Sequence, residues 1–167
     1  MFRTSPETFP IKFLAGDAFD DAHLSLTAPI LSGSLPPVAS VNILTELRGR
    51  ISVIHASALF HLFSEEKQFE LGKRLAALLD PRPGTVIFGS HGGMPVKGQR
   101  QPFFVEMFCH SPESWTQMWE EQIFEKGQVK VNVVLKDMTM LAKGFEKCVS
   151  VEEGAMYYWL VWSVERL

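Results

Sequence analysis

ISVIHASALFHLFSEEKQFELGKRLAALLDPRPGTVIFG, residues 51–89, reads as strand, helix, strand. The run ISVIHASALF opens as a near-continuous apolar stretch of strand length, as in the centre of a parallel sheet, and breaks at HAS. Ser64 then stands where an N-cap belongs, with Glu65 and Glu66 in the first turn, where a helix dipole favours acids. Phe69, Leu71, Leu75, Leu78 and Leu79 fall on one broad face of the helix that follows. Pro81, Pro83 and Gly84 end it, and TVIFG resumes as a second buried strand. A strand, a covering helix and a second strand form the unit of a parallel α/β sheet.

The same pattern extends both ways from this unit. Upstream, IKFLAG (11–16) reads as a short strand, DAFDDAHLSL as the start of a short helix, and TAPILSGSLPPVAS (27–40) as a surface loop. VNILTELRGR (41–50) reads as a short helix closed by Gly49. Downstream, SHGGMPVKGQRQP (90–102) reads as a long loop with three glycines. Ser111 and Pro112 open a further helix, in which Trp115, Met118, Trp119 and Ile123 form one stripe. VKVNVVL (129–135) and MYYWLVWSVERL (156–167) read as the last two strands, able to pair antiparallel.

Composition narrows the function classes. The chain has 167 residues, enough for a single domain, with 46% hydrophobic and 21% charged residues. Its net charge is −3 and its strongest cationic stretch, VKGQR at 96–100, carries two charges, which argues against a nucleic-acid partner. No apolar run approaches the roughly 20 residues that span a bilayer, and MFRTSPETFP has no signal-peptide core, so a cytoplasmic protein without a membrane partner is expected. Cys109 and Cys148 lie far apart and form neither a metal spacing nor a disulfide framework. The 13 phenylalanines and four tryptophans suit a core, and also a pocket for an apolar small molecule.

FLAGDAFDDAHL, the 51–89 stretch, MFCHSPESW and the terminal LVWSVERL together resemble the C-terminal half of class I S-adenosylmethionine-dependent methyltransferases. The similarity is to the fungal small-molecule branch of polyketide and meroterpenoid pathways, and it runs from about residue 5 to the end. It implies a truncated Rossmann-like class I methyltransferase fold over 1–167: three-layer α/β, with a mostly parallel sheet and an antiparallel last strand. The family's strand order is 3-2-1-4-5-7-6. IKFLAG would be its third strand, ISVIHA the fourth, TVIFG the fifth and the last two the sixth and seventh. The first two strands, the glycine-rich cofactor loop and the ribose-binding acid would then be missing, and GSHGG at 89–93 opens no helix that could replace them.

By this resemblance Asp17 accepts from the cofactor's adenine and Ala18 offers its N–H, while His55, Ala56 and Ser57 line the floor beneath sulfonium and substrate. Asp17, Ala18, His55 and Ser57 are the remnant cofactor wall. Phe60, His91, Glu106, Met107, His110 and Trp115 are the expected substrate pocket. Imidazoles titrate near neutrality, so His55 and His61, with Asp17, are the candidate catalytic groups. Each histidine also has a plain reading as a polar loop residue or a satisfied core residue. No metal site is expected, because HxH and HExxH are absent. Cys109 beside His110 makes a weak nucleophile pair, and a serine triad lacks its GxSxG elbow.

The leading expectation is a methyltransferase fold reused without a cofactor for isomerisation, cyclisation or epimerisation of an apolar small molecule, in a chain read as complete from Met1. The alternatives are a methyltransferase completed by a partner chain, which alone would bring S-adenosylmethionine, and a non-catalytic accessory subunit. A fourth strand without its usual neighbour is expected to be covered by inward movement of IKFLAG or by a second copy, giving a homodimer.

Overall fold

The computed structural model describes residues 12–28, 30, 33, 36–100, 106–139 and 156–167. Ile11, Cys148 and the 140–155 connection lie outside them. The first strand, β1, is Val53–His55, and β2 is Val86–Gly93. The helix between them, α1, spans Glu65–Leu78, capped by the Ser64 side chain, which accepts the Lys67 N–H. Next come a small hairpin of β3 (Gly98–Arg100) and β4 (Met107–Cys109), and then α2 (Pro112–Gln117). The chain finishes with β5 (Val129–Asp137) and β6 (Tyr158–Arg166).

The main sheet has the order β1-β2-β6-β5. β1 and β2 are parallel, and β6 runs antiparallel to both β2 and β5. Three strands therefore point one way and the last strand points back. This is the 4-5-7-6 portion of the strand order that the sequence resemblance implies.

Strand alternation explains where the core sits. Ile87 on β2 and Leu160, Trp162 and Val164 on β6 share one sheet face, and all are buried. α1 brings Leu71 to that face, α2 brings Trp115, and a π-helical turn at Met118–Ile123 brings Met118 and Trp119. Phe60, from a 3₁₀ turn after β1, sits in the middle, with its ring 4.9 Å from Trp115 and 5.7 Å from Trp162. α1 reaches the π-helical turn through Gly72, where a Cβ would stand 2.5 Å from Cδ1 of Ile123. Among the described residues the opposite sheet face carries no helix, and it shows Val53, Phe88 and Val134 to solvent.

Three local expectations change. Residues 12–16 are not a strand: Lys12 instead donates to the Ala39 carbonyl, and no neighbouring strand is available to complete a ladder. The inward pairing of this segment with β1 does not occur among the described residues. Residues 17–24 form hydrogen-bonded turns rather than a helix, because Asp17 and Asp20 bond the backbone amides of Phe19 and Ala22 with their own side chains. The described part of the 90–102 segment is largely strand: β2 runs on to Gly93, held by β6, and β3 pairs with β4. Glycine and histidine disguised that continuation. The stripe of Trp115, Met118, Trp119 and Ile123 is present, but a short α-helix and a π-helical turn share it.

Candidate functional site

β1 ends beneath a tight crossing. The backbone after His55 passes so close to β2 that a Cβ on Gly89 would lie 2.0 Å from the Ala56 carbonyl oxygen. Only glycine fits at that point. The chain then reverses at Ala58, whose φ of 52° is in the left-handed region that a side chain disfavours. Two bonds hold the reversal against β2. Ala58 N–H donates to the Ser90 carbonyl at 2.7 Å, and Ser90 N–H donates to Ser57 Oγ at 3.1 Å.

Ser57 Oγ also lies 2.8 Å from His55 Nε2. The His55 ring stacks on Phe88 at a centroid distance of 4.9 Å. His55, Ser57 and Phe88 are all exposed, so this is a polar group with an aromatic base, open to solvent at the carboxyl end of β1. In open α/β sheets that end is where ligands lie.

The other histidines behave differently. His61 is half-buried, and its Nδ1 accepts the Gly92 N–H at 3.2 Å. Burial lowers its pKa. His91 was expected in a loop, but it points inward from β2 with no exposed surface. Its Nδ1 accepts the indole N–H of Trp162 at 3.0 Å, which leaves the proton of the neutral ring on Nε2. Burial, aided by His61 and His110, pushes its pKa down to about 3. His110, also buried, has Nδ1 2.9 Å from Ser114 Oγ and is pushed down to about 4, chiefly by burial. Nε2 of His91 and of His110 has no hydrogen-bond partner among the described residues.

The expected residues thus divide into groups. His55 and Ser57 are brought together at the open mouth of β1. Phe60, His91, His110 and Trp115 come together as core, with His91 4.7 Å and His110 5.4 Å from the Trp115 ring. They wall no open pocket, because each is buried. Asp17 and Ala18 sit in a turn docked at the head of α1 through Phe19, whose ring meets Phe63 at 5.1 Å and lies under the Lys67 ammonium at 4.5 Å. Glu106 is exposed just before β4 and Met107 is half-buried at its start, so both belong to the hairpin rather than to the main sheet that carries His55. Ser90 and Phe88 were not singled out in the sequence, although the FGS that ends the second strand run was their signal.

Two open grooves of about 510 and 540 Å³ lie elsewhere, one beside α2 and β5 at Glu113, Gln117 and Val133, the other between α1 and the hairpin at Glu65, Phe69 and Phe108. Among the described residues no three His, Cys, Asp or Glu side chains are grouped to hold a metal ion, and no helix is long and apolar enough to cross a membrane.

The O-methyltransferase phiE of Fungal sp. (strain ATCC 74256) is 31% identical over 129 residues, covering 76% of this chain and 37% of phiE. The chain is a homologue of fungal methyltransferases. The Asnovolin E/Chermesin D methyltransferase nvfJ of Aspergillus novofumigatus is 25% identical over 55% of the chain and 34% of its own length. The methyltransferase trt5 of Aspergillus terreus is 28% identical over 46% and 28%. The chain therefore spans about a third of the length of the curated methyltransferases it matches. No protein-family model matches it. Among solved structures, the 1,6-didemethyltoxoflavin-N1-methyltransferase of Burkholderia thailandensis is 10% identical with a TM-score of 0.46, covering 78% of this chain and 48% of that one. An S-adenosylmethionine-dependent methyltransferase of Mesorhizobium loti is 12% identical with a TM-score of 0.41, covering 71% and 63%.

Asp17 accepts the Phe19 N–H through Oδ1, which leaves Oδ2 able to accept from a ligand. Asp17, His55 and Ser57 all stand on open surface, so among the described residues they form no enclosed cradle for S-adenosylmethionine.

Proposed function

We propose that this chain forms the substrate-facing part of a small-molecule methyltransferase, and that a cofactor-binding part joins it along the free edge of β1. The edge itself carries the reading. Val86 N–H donates to Ser52 O and Ala56 N–H donates to Phe88 O, so the even-numbered residues of β1 face β2. Val53 and His55 turn their backbone groups the other way, and no described residue pairs with them. Val53 also leaves 59% of its surface in solvent. An unpaired apolar edge is a template for another strand.

The relatives' span supports this reading, since a match over 28–37% of their length leaves most of a methyltransferase to be supplied from outside the matched region. These relatives are methyltransferases, nvfJ one of Asnovolin E/Chermesin D, which supports methyl transfer as the reaction. On this reading His55 and Ser57 face the substrate, and S-adenosylmethionine is held chiefly by the joining part. A histidine-driven enzyme working without the cofactor would have to rest on His55 alone. His61 already accepts the Gly92 N–H through Nδ1, and the pocket candidates His91 and His110 are buried with no partner for Nε2 among the described residues.

The test is amide exchange on this chain, alone and mixed with the part of phiE outside the matched region. Slowed exchange at Val53 and His55 in the mixture supports pairing along β1. Unchanged exchange at both, with the two polypeptides nonetheless associated, removes that edge from the account. A homodimer through β1 would protect the same amides in the chain alone.

A further inference from the structure

We propose that Ser57 is a positioning residue that holds neutral His55 with its proton on Nδ1, so that the ring presents a hydrogen-bond donor to whatever lies at the mouth of β1. This deepens the reading above and rests on it for the identity of the ligand, but not for the protonation state itself.

The argument follows the hydrogens around one oxygen. Ser90 N–H can only donate, so it occupies one lone pair of Ser57 Oγ, at 3.1 Å. Among the described residues the hydroxyl hydrogen then has two acceptors within reach. Ser90 Oγ is 3.4 Å away, beyond the usual 2.5–3.0 Å range of an O–H···O bond. His55 Nε2 is 2.8 Å away, well within reach of a hydroxyl donor. A hydroxyl that accepts from an amide is also polarised to donate more strongly. In the proposed arrangement Ser57 gives its hydrogen to Nε2, and the neutral imidazole then carries its proton on Nδ1.

Backbone geometry fixes the arrangement. The left-handed Ala58 and its 2.7 Å bond to the Ser90 carbonyl lock the turn, while Phe88 sets the plane of the His55 ring. The ligand atom that meets His55 is then an acceptor oxygen or nitrogen, not a hydroxyl awaiting deprotonation by Nδ1. His61 and His91 show the opposite arrangement, because in each Nδ1 accepts an N–H.

Free imidazole side chains favour the proton on Nε2, so the outcome is distinctive. Nitrogen-15 NMR of the histidine-labelled chain at alkaline pH reads the tautomer directly. The wild type is expected to show His55 protonated on Nδ1. Ser57→Ala is expected to lose that signature and revert to the Nε2 form, Ser57→Thr to retain it, and Ser90→Ala to retain it because only the backbone N–H of Ser90 is used. A wild-type spectrum with His55 protonated on Nε2 overturns the inference, as does a Ser57→Ala spectrum identical to wild type. Both readouts come from this chain alone, so failure to join a cofactor-binding part leaves them unaffected.

Discussion

Trp162 donates its indole N–H to Nδ1 of His91 across 3.0 Å inside the aromatic core. The bond satisfies the tryptophan and one ring nitrogen, and it leaves no site for a second proton. His91 at about 3 and His110 at about 4 both lie below the ordinary value of 6.5, so the unfolded chain binds protons that the folded chain refuses. Their neutral burial costs nothing in charge above pH 6.5 and becomes a liability as pH falls toward 4. Linkage gives about 1.4 kcal/mol per pH unit for each ring, or about 3 for the pair. Urea midpoints are expected to drop steeply between pH 6.5 and 4. His91→Phe is expected to cost about 1–3 kcal/mol at pH 7 through the orphaned indole, yet to flatten that pH slope. An unchanged slope in the variant would remove His91 as its cause.

The Gly89 crossing should tolerate no side chain. Gly89→Ala places a methyl group against the Ala56 carbonyl, a backbone atom that cannot swing aside. A loss of about 3 kcal/mol or more is expected, with β1 prised from β2. Gly98→Ala meets nothing within 4 Å, and is expected to stay within about 0.5 kcal/mol of wild type. Thermal melts of the two variants side by side check the contrast.

Much of this architecture is readable from residues. Ser64 with Glu65 and Glu66, and Ser111 with Pro112, mark the two helix starts where they occur, because a cap is a local hydrogen-bond requirement. The four sheet strands are also legible as apolar runs. The continuation of β2 through Ser90-His91-Gly92-Gly93 is not, since glycine and histidine are there for a tertiary reason: close crossings and a tryptophan partner on β6. The 12–16 run fails in the other direction. It has strand composition, but a strand exists only where a neighbour pairs with it. At the site, His55 and Ser57 could be placed at the end of β1 from pattern and resemblance. The burial of His91 and His110 depends on which way β2 and the β4–α2 junction face, and no local spacing encodes that.

Arg74 ties the Asp17 turn region to the body of the protein. Its buried guanidinium bonds Glu70 within α1, and outside the helix it reaches the Leu24 carbonyl and Asp21. Arg74→Met keeps the apolar stem but drops these bonds. It is expected to cost about 1.5–3 kcal/mol and to expose residues 17–24 to proteolysis before the rest of the chain. Cleavage at that segment no faster than in wild type would show that the Phe19 contacts and the two bonds from Thr45 to the His23 carbonyl hold it without Arg74.

Light scattering at micromolar concentration reads what covers β1. A chain of 18.8 kDa that is monomeric alone and forms a one-to-one complex with the complementing part of phiE is the expected result. A stable dimer of the chain alone would assign the edge to a second copy instead.

Calorimetric titration of S-adenosylmethionine, into the chain alone and into the chain with its complementing part, tests the central claim most directly. Alone, the chain offers isolated contacts of about 1–3 kcal/mol, and the account predicts no saturation at micromolar ligand, with saturable binding appearing in the complex. A micromolar Kd for the chain alone, about 8 kcal/mol of binding, would contradict it.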